Sequence, residues 1–505
     1  MKKWLLTLLV ILFCFQPRLF AGEMTKVFMA DLDYLYEIGK EIYCYWDQKK
    51  EMYGVDWEEL YQTARGEMEQ AETTADYFSV LYRFMAGVKD VHVNVWSREN
   101  RELKPYFFPL SFREIGGKII IYNISPDAFL GDPGMDRGDI VLAINGEAVE
   151  RVIDRMARYR SGSTPRMVRR QAIRWLNVHM PFGTVPTKNS VLTILTKDGF
   201  YREVEIPWLI YDFSKDLTRK DDAWKITDEV EAKIFPNNIG YLRIGSMMSG
   251  DEDAVSYDNY IEYVVSQLQM LLNTDGLVID VRGNGGGWGD VGDAILAHFI
   301  DQPVVKMRAS PRLSKAVLIK RPWVSADFQP DPATKGVFAK WEEIEIAPVE
   351  EALRYHQPVV VLLNADCFSA CDTFVDSLSS NALATMIGEA SGGGTGQPLE
   401  ITLPSELAQA RFSVMRGLSN WGWFLEGRGT VPNWAVGLTR QDVINNYDSV
   451  LAKGYNMLLK RKRGVGSTAA KTIQVPSADL FSLPVSPVIP AFADEMKLIR
   501  QSNHE

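Results

Sequence analysis

Apolar residues first recur at helical spacing. Tyr34, Leu35, Ile38, Ile42 and Trp46 share one face, and Asp56 stands as an N-cap before Trp57-Glu58-Glu59-Leu60-Tyr61. Thr74-Ala75-Asp76-Tyr77 opens a third helix that runs to about Ala86. The period then shortens, and the last part of Lys89-Asp90-Val91-His92-Val93-Asn94-Val95-Trp96 alternates as a strand does. Strand patterns follow at 118–122 and at 139–147, where the run meets an Asn145-Gly146 turn, and again at 190–196 and 201–206. Between them the Arg-rich stretch 151–179 predicts a helical insertion. From about 230 to 460, strands (239–244, 276–281, 358–363) alternate with helices (257–272, 290–299, 369–379). Pro358-Val359-Val360-Val361-Leu362-Leu363 is almost continuously apolar, as in a sheet covered on both faces. The Ser-, Thr- and Pro-rich tail 466–505 reads as irregular.

One long apolar run stands apart, at residues 4–15. It follows Lys2 and Lys3 and precedes Gln16-Pro17-Arg18-Leu19-Phe20-Ala21. A basic start, an apolar middle and a small residue at the end predict a secretory signal over 1–21, cleaved after Ala21. An uncleaved anchor is the alternative, but the run is shorter than the ~20 residues a spanning helix needs. The expectation is an exported protein, periplasmic or extracellular, that is not integral to the membrane once cleaved.

The remainder is ordinary globular sequence: 46% hydrophobic and 24% charged over 505 residues, room for about three domains. Lys plus Arg number 55 against 65 Asp plus Glu, a net charge of −10. An anion gains nothing from phosphate counterion release, which excludes general nucleic-acid binding. Loss of the signal would remove Cys14 and leave Cys44, Cys367 and Cys371, too few for a disulfide framework. Cys367 and Cys371 also lack the further ligands of a zinc site, so all three read as small apolar packing.

Two strand-to-helix junctions carry chemistry. In Val278-Ile279-Asp280-Val281-Arg282-Gly283-Asn284-Gly285-Gly286-Gly287, four glycines in five residues let backbone N–H groups approach a bound atom, as an oxyanion site requires. No Lys-Ser/Thr follows, so a phosphate loop does not fit. In Leu363-Asn364-Ala365-Asp366-Cys367-Phe368-Ser369-Ala370-Cys371-Asp372, a helix begins near Ser369. That serine can simply cap the helix, or it can present a nucleophilic hydroxyl with the Ala370 N–H beside it.

Together these strings resemble the C-terminal processing (tail-specific) peptidase family, particularly its tricorn-like branch. The family's Asp-Leu-Arg-x-Asn-x-Gly-Gly element corresponds to Asp280 through Gly287, and its Ser-Ala-Ser-Ala-Ser-Glu segment to Cys367 through Asp372, with Ser369 in the nucleophile's place. Met386-Ile387-Gly388-Glu389-Ala390-Ser391-Gly392-Gly393-Gly394 and Gly427-Arg428-Gly429-Thr430-Val431-Pro432-Asn433 resemble two later family elements. Gly138-Asp139-Ile140-Val141-Leu142-Ala143-Ile144-Asn145-Gly146 resembles the core of a PDZ domain. The bacterial tail-specific branch places its lysine base 25 residues after the serine; here that position is Gly394, and no lysine lies between Ser369 and Lys453. Another base is needed. Of five histidines, His92 resembles the base of tricorn-like members, although Val91 stands where they carry a serine. Glu426 and Asp90 are the alternatives for the supporting acid.

The resemblance implies an α/β fold: a crotonase-like (ClpP/crotonase-type) catalytic domain at 209–465, an N-terminal helical domain at 22–100 and a PDZ-like β-rich domain at 101–208. It implies a serine-type endopeptidase in which His92 deprotonates Ser369 and the Gly286 and Ala370 N–H groups hold the oxyanion. Gly285 and Gly287 would line the substrate, and the PDZ-like domain would bind peptide or protein chain ends. No metal or organic cofactor is called for. A catalytically inactive protein binding peptides or hydrophobic ligands on the same fold is the alternative. Substrate preference, oligomeric state and whether the PDZ-like domain activates or inhibits stay open.

Overall fold

In the computed structural model the alternating second half builds a six-stranded sheet. The described residues are 2–98, 106–125, 128–129, 131–179, 189–210, 229–250, 255–464 and 478–483. The side chains of the 1–21 signal reading, most of the 466–505 tail and His504 lie outside them. The strands run in the order Val230–Phe235, Ile239–Ile244, Leu277–Asp280, Val359–Leu363, Thr385–Gly388 and Trp434–Ala435. The first pair is antiparallel and the rest are parallel. Successive side chains of the apolar strands divide between the faces. Leu277, Ile279, Val359, Val361 and Leu363 pack with residues of the helices Tyr257–Gln269, Gly289–Leu296 and Ala370–Ser380. Val278, Val360, Leu362 and Ile387 meet the helix Ser449–Gly464 on the other side. Both chemistry-bearing junctions leave this sheet at the carboxyl ends of neighbouring strands, where parallel sheets present their ligands.

The early helices form as their caps predict. Asp56 accepts from the Glu59 N–H before Trp57–Met68, and Thr73 closes a capping box with Asp76 before Thr74–Ala86. The first helix, Lys2–Ile42, begins earlier than the periodicity at Tyr34 suggests. These helices do not have a core of their own. The strand Asn94–Ser97 pairs antiparallel with Ala408–Ser413, which pairs in turn with Pro398–Thr402. Phe412 and Ile401 from those late strands enter one apolar cluster with Leu35, Trp57 and Phe84. The residues just after His92 are thus tied into a strand some 310 residues further along the chain, Asn94 opposite Arg411.

Between these parts lies an antiparallel sheet of Leu110–Ile115, Lys118–Ile124, Ile140–Ile144, Ser190–Leu195 and Tyr201–Ile206. Asn145 and Gly146 both take positive φ, 52° and 77°, as the hairpin turn requires. The expected insertion contains the helices Val149–Ala157 and Pro165–Arg174, whose Val152, Ile153 and Ile173 pack on the sheet. The loop between those helices, carrying Ser161 and Ser163, reaches the site described next. A further sheet, Glu342–Ile346 with Val304–Pro311 and Met415–Leu418, has no counterpart in the sequence reading.

Candidate active site

The strand Val359–Leu363 ends in Asn364, whose Oδ1 accepts from the Gly283 N–H at 3.0 Å and so couples the two junctions. Ser369 follows with φ 59° and ψ −127°, a conformation residues with a β-carbon rarely adopt, and it is half-buried. Its side chain makes no capping bond, so the plain N-cap role is not the one it plays. Cys367 and Cys371 form a disulfide across this turn, correcting the expectation that they merely pack. The turn into the helix brings their Cα atoms to 5.5 Å, within disulfide reach. Cys44 is buried and free, as expected.

The glycine loop lies directly against the turn. A β-carbon on Gly286 (φ 93°) would fall 2.6 Å from Ser369 Cβ and 2.9 Å from the Ala370 nitrogen. The Ala370 N–H has no partner among the described residues. Gly286 differs from expectation: its N–H donates to Asn284 Oδ1 at 2.8 Å. Buried Asn284 needs a donor there, and the tight turn supplies the nearest one, so in this conformation the open donor beside Ser369 is that of Ala370. Gly287 (φ 132°) is packed on the Met247 backbone, and Gly285 is half-buried in the same loop.

His92 arrives from the other side. Its ring lies 5.9 Å, centre to centre, from Phe368, the residue preceding Ser369. Val91 packs with Phe368 and Met167, and a β-carbon on Gly394 would stand 2.3 Å from Val91 Cγ1. The Gly394 carbonyl accepts the Ser369 N–H at 2.6 Å. The two departures from the family pattern therefore fit each other: Val91 occupies the space that a side chain at 394 would need. Asp372, buried one turn into the helix, accepts from Ser391 Oγ and from the N–H groups of Gly393 and Gly394 at 2.7 and 2.9 Å. It thereby fixes the loop that holds Ser369, while burial pushes its carboxyl up to about 7.

Behind His92 stand both candidate acids. Asp90 Oδ1 accepts the His92 backbone N–H at 2.8 Å and lies 3.8 Å from its Nδ1, a buried ring nitrogen with no hydrogen-bond partner. Asp90 Oδ2 accepts from Tyr43 at 3.0 Å and Ser413 at 2.8 Å. Glu426 Oε2 accepts the Thr395 N–H at 2.8 Å, and its Oε1 meets Lys49 Nζ at 2.5 Å in a wholly buried ion pair. Ser163 hydrogen-bonds Glu426, and its Oγ accepts the Val91 N–H at 3.0 Å. Burial drives His92 down to about 4 against the pull of Asp90, which keeps the imidazole neutral and able to accept a proton. Burial, helped by Asp90, raises the Glu426 carboxyl against the opposing pull of Lys49. Asp90, His92 and Glu426 offer ligand atoms within 4.8 Å of one another, a set a metal ion could use. The Lys49 ammonium already takes a cation's place on Glu426.

Sequence reasoning missed Lys49, Ser163 and Asp372. Asp372 stands in the glutamate's place of the nucleophile segment, a signal that was available. Lys49, in Gln48-Lys49-Lys50-Glu51, looks like any solvated helix face. The other histidines are elsewhere: His298 bonds the Ala294 carbonyl, His179 packs on Trp208 and His356 is exposed.

Residues 238–436 match the family model of Peptidase family S41. No curated protein sequence matches. Among solved structures the chain is similar to mature CPAF complexed with lactacystin, at 18% identity and a TM-score of 0.69, over 87% of this chain and 98% of that one. A point mutant of CPAF matches at 17% identity and a TM-score of 0.67, over 90% of this chain and 99% of that one. A putative peptidase from Parabacteroides merdae matches at 18% and 0.51, over 87% and 99%. The S41 match covers less than half of the chain, and the structural neighbours show its fold. Among the described residues no helix is long and apolar enough to cross a membrane.

Proposed function

With residues 238–436 carrying an S41 peptidase segment, we propose that this chain is an exported serine endopeptidase with Ser369 as nucleophile and His92 as general base. One observation carries the reading: a neutral, buried imidazole and two carboxyl groups are gathered against the turn that holds Ser369 in a strained backbone. Binding alone gives no reason to store strain at a half-exposed hydroxyl. In the reaction His92 takes the Ser369 proton as Oγ attacks the peptide carbonyl, and the oxyanion forms beside the Ala370 N–H. His92 then returns the proton to the leaving amine, and water releases the acyl group by the same route reversed. Asp90, 3.8 Å from Nδ1, is the nearer of the two candidate acids to the imidazolium that forms between those steps. The antiparallel sheet at 110–206 serves as a PDZ-like module that adds a substrate chain to a sheet edge.

A fluorophosphonate probe tests this. The wild type should be labelled, Ser369→Ala should not, and His92→Ala should lower turnover of a peptide library by orders of magnitude. Lactacystin, bound in one structural neighbour, is a second probe of the same serine. A wild type that neither reacts nor cleaves leaves the fold to a binding role.

A further inference from the structure

We infer that Arg170 is a positioning residue of this site: from the helix Pro165–Arg174 it holds Asp366, and through Asp366 the turn that carries Ser369, in register with the segment that carries His92. This role rests on the serine-peptidase reading above and lies outside the residues assigned there. Arg170 Nη2 is 2.7 Å from Asp366 Oδ2, and its Nη1 donates to Glu389 Oε2 at 3.1 Å. Asp366 stands three residues before Ser369. Its backbone N–H donates to Asn364 Oδ1 at 3.2 Å, the same oxygen that takes the Gly283 N–H. One guanidinium thus bridges the ends of two neighbouring strands, Val359–Leu363 and Thr385–Gly388, where the chain turns into the site.

The start of the same helix grips the loop beside that turn. Arg166 Nη2 donates to the Ser391 carbonyl at 2.8 Å and Thr164 Oγ1 to the Gly392 carbonyl at 3.3 Å, while Met167 packs with Phe368 and Val91. Just upstream, Ser161 Oγ donates to the Val93 carbonyl at 2.5 Å, and Ser163 Oγ accepts the Val91 N–H. The residues flanking His92 and the turn before Ser369 are therefore held by one short, stiff segment. Burial alone would raise the Asp366 carboxyl, yet Arg170, and Arg174 after it, hold it well below the usual carboxylate range. Asp366 Oδ1 has no hydrogen-bond partner among the described residues, and Arg174 is 3.8 Å from it. Loss of Arg170 would leave this carboxylate poorly compensated and free to shift, carrying the turn with it. A displacement of about 1 Å at a reacting atom can cost roughly 100-fold in rate, so the effect belongs in kcat rather than KM. An ion pair that only fastened the helix to the sheet would lower stability and leave the folded enzyme as fast as before.

The test compares Arg170→Met, Arg170→Lys and Arg170→Met/Asp366→Asn with the wild type. Each is read by urea titration, by kcat and KM on a peptide substrate, and by the rate of fluorophosphonate labelling. Hydrogen exchange of residues 364–370 and 389–394 is followed by mass spectrometry in a Ser369→Ala background. Arg170→Met should lower kcat and the labelling rate together by roughly 10–100-fold with KM little changed. It should speed exchange in both segments and not in the helix Tyr257–Gln269. Arg170→Lys keeps the charge but not the two-armed fork, so its kcat should lie between. The double variant removes the uncompensated carboxylate, so it should recover the urea midpoint without recovering kcat or labelling; it decides the matter if Arg170→Met alone does not fold. Labelling at the wild-type rate in folded Arg170→Met, a double variant that recovers both stability and kcat, or unmoved exchange in the two segments overturns the assignment. If exchange moves as expected while the wild type neither cleaves nor reacts with the probe, the positioning stands and the peptidase reading is what fails.

Discussion

At Ser369 the backbone sits at φ 59° and ψ −127°, a conformation that costs roughly 1–3 kcal/mol for a residue with a β-carbon. Glycine adopts it freely but loses more chain entropy on folding, by about 0.4–1 kcal/mol. Ser369→Gly is therefore expected to be inactive yet more stable than Ser369→Ala, by roughly 0.5–2 kcal/mol in urea titrations. Equal stabilities would mean that the turn is relaxed. His92 makes a second prediction. Burial holds it at about 4, below the ordinary 6.5, so the folded protein binds this proton less readily than the unfolded chain. On this account kcat/KM should keep its base in working form well below pH 6.5. This residue's contribution to stability is complete above 6.5 and falls as pH drops from there towards about 4. A kcat/KM profile already halved at pH 6.5 would assign the base elsewhere.

The helix Ala370–Ser380 is anchored at its start by the Cys367–Cys371 bond, which spans Ser369. So short a loop gives about 2 kcal/mol by the chain-entropy estimate. Cys367→Ala/Cys371→Ala should lower the unfolding free energy from urea titrations by an amount of that order, and reductant should lower the wild type's midpoint but not the variant's. Elements of this kind divide what the sequence discloses from what it hides. Asp56 and Thr73 mark their helices because a cap is a local bond, and 359–363 reads as a covered strand because both its faces are apolar. Ser369 is legible for the same local reason, a glycine run and a strand end meeting a helix start. The direction of the Gly286 N–H is not, since it depends on where the Asn284 side chain turns. Nor is Lys49: only folding, which brings Glu426 to it from 377 residues away, distinguishes it from its neighbour Lys50.

Across the whole molecule, His92 and Ser369 are carried by two different apolar clusters, one joining the early helices to the late strands and one between the large sheet and its helices. His92 lies between helices and a strand whose apolar side chains are buried with Phe412 and Ile401, and Asp90 is held by Ser413 on that same late strand. The helical region should therefore not melt by itself. Amide exchange in Thr74–Ala86 and in Ala408–Ser413 should open together, in one transition with loss of probe labelling at Ser369. Phe412→Ala, which removes a ring packed beside Tyr43 and Trp57, should cost about 3–5 kcal/mol and shift exchange in both elements by the same amount. If the helices opened at lower denaturant while the serine stayed reactive, the imidazole would not be held by this core. The hydroxyl would then need a proton acceptor from within the α/β half alone.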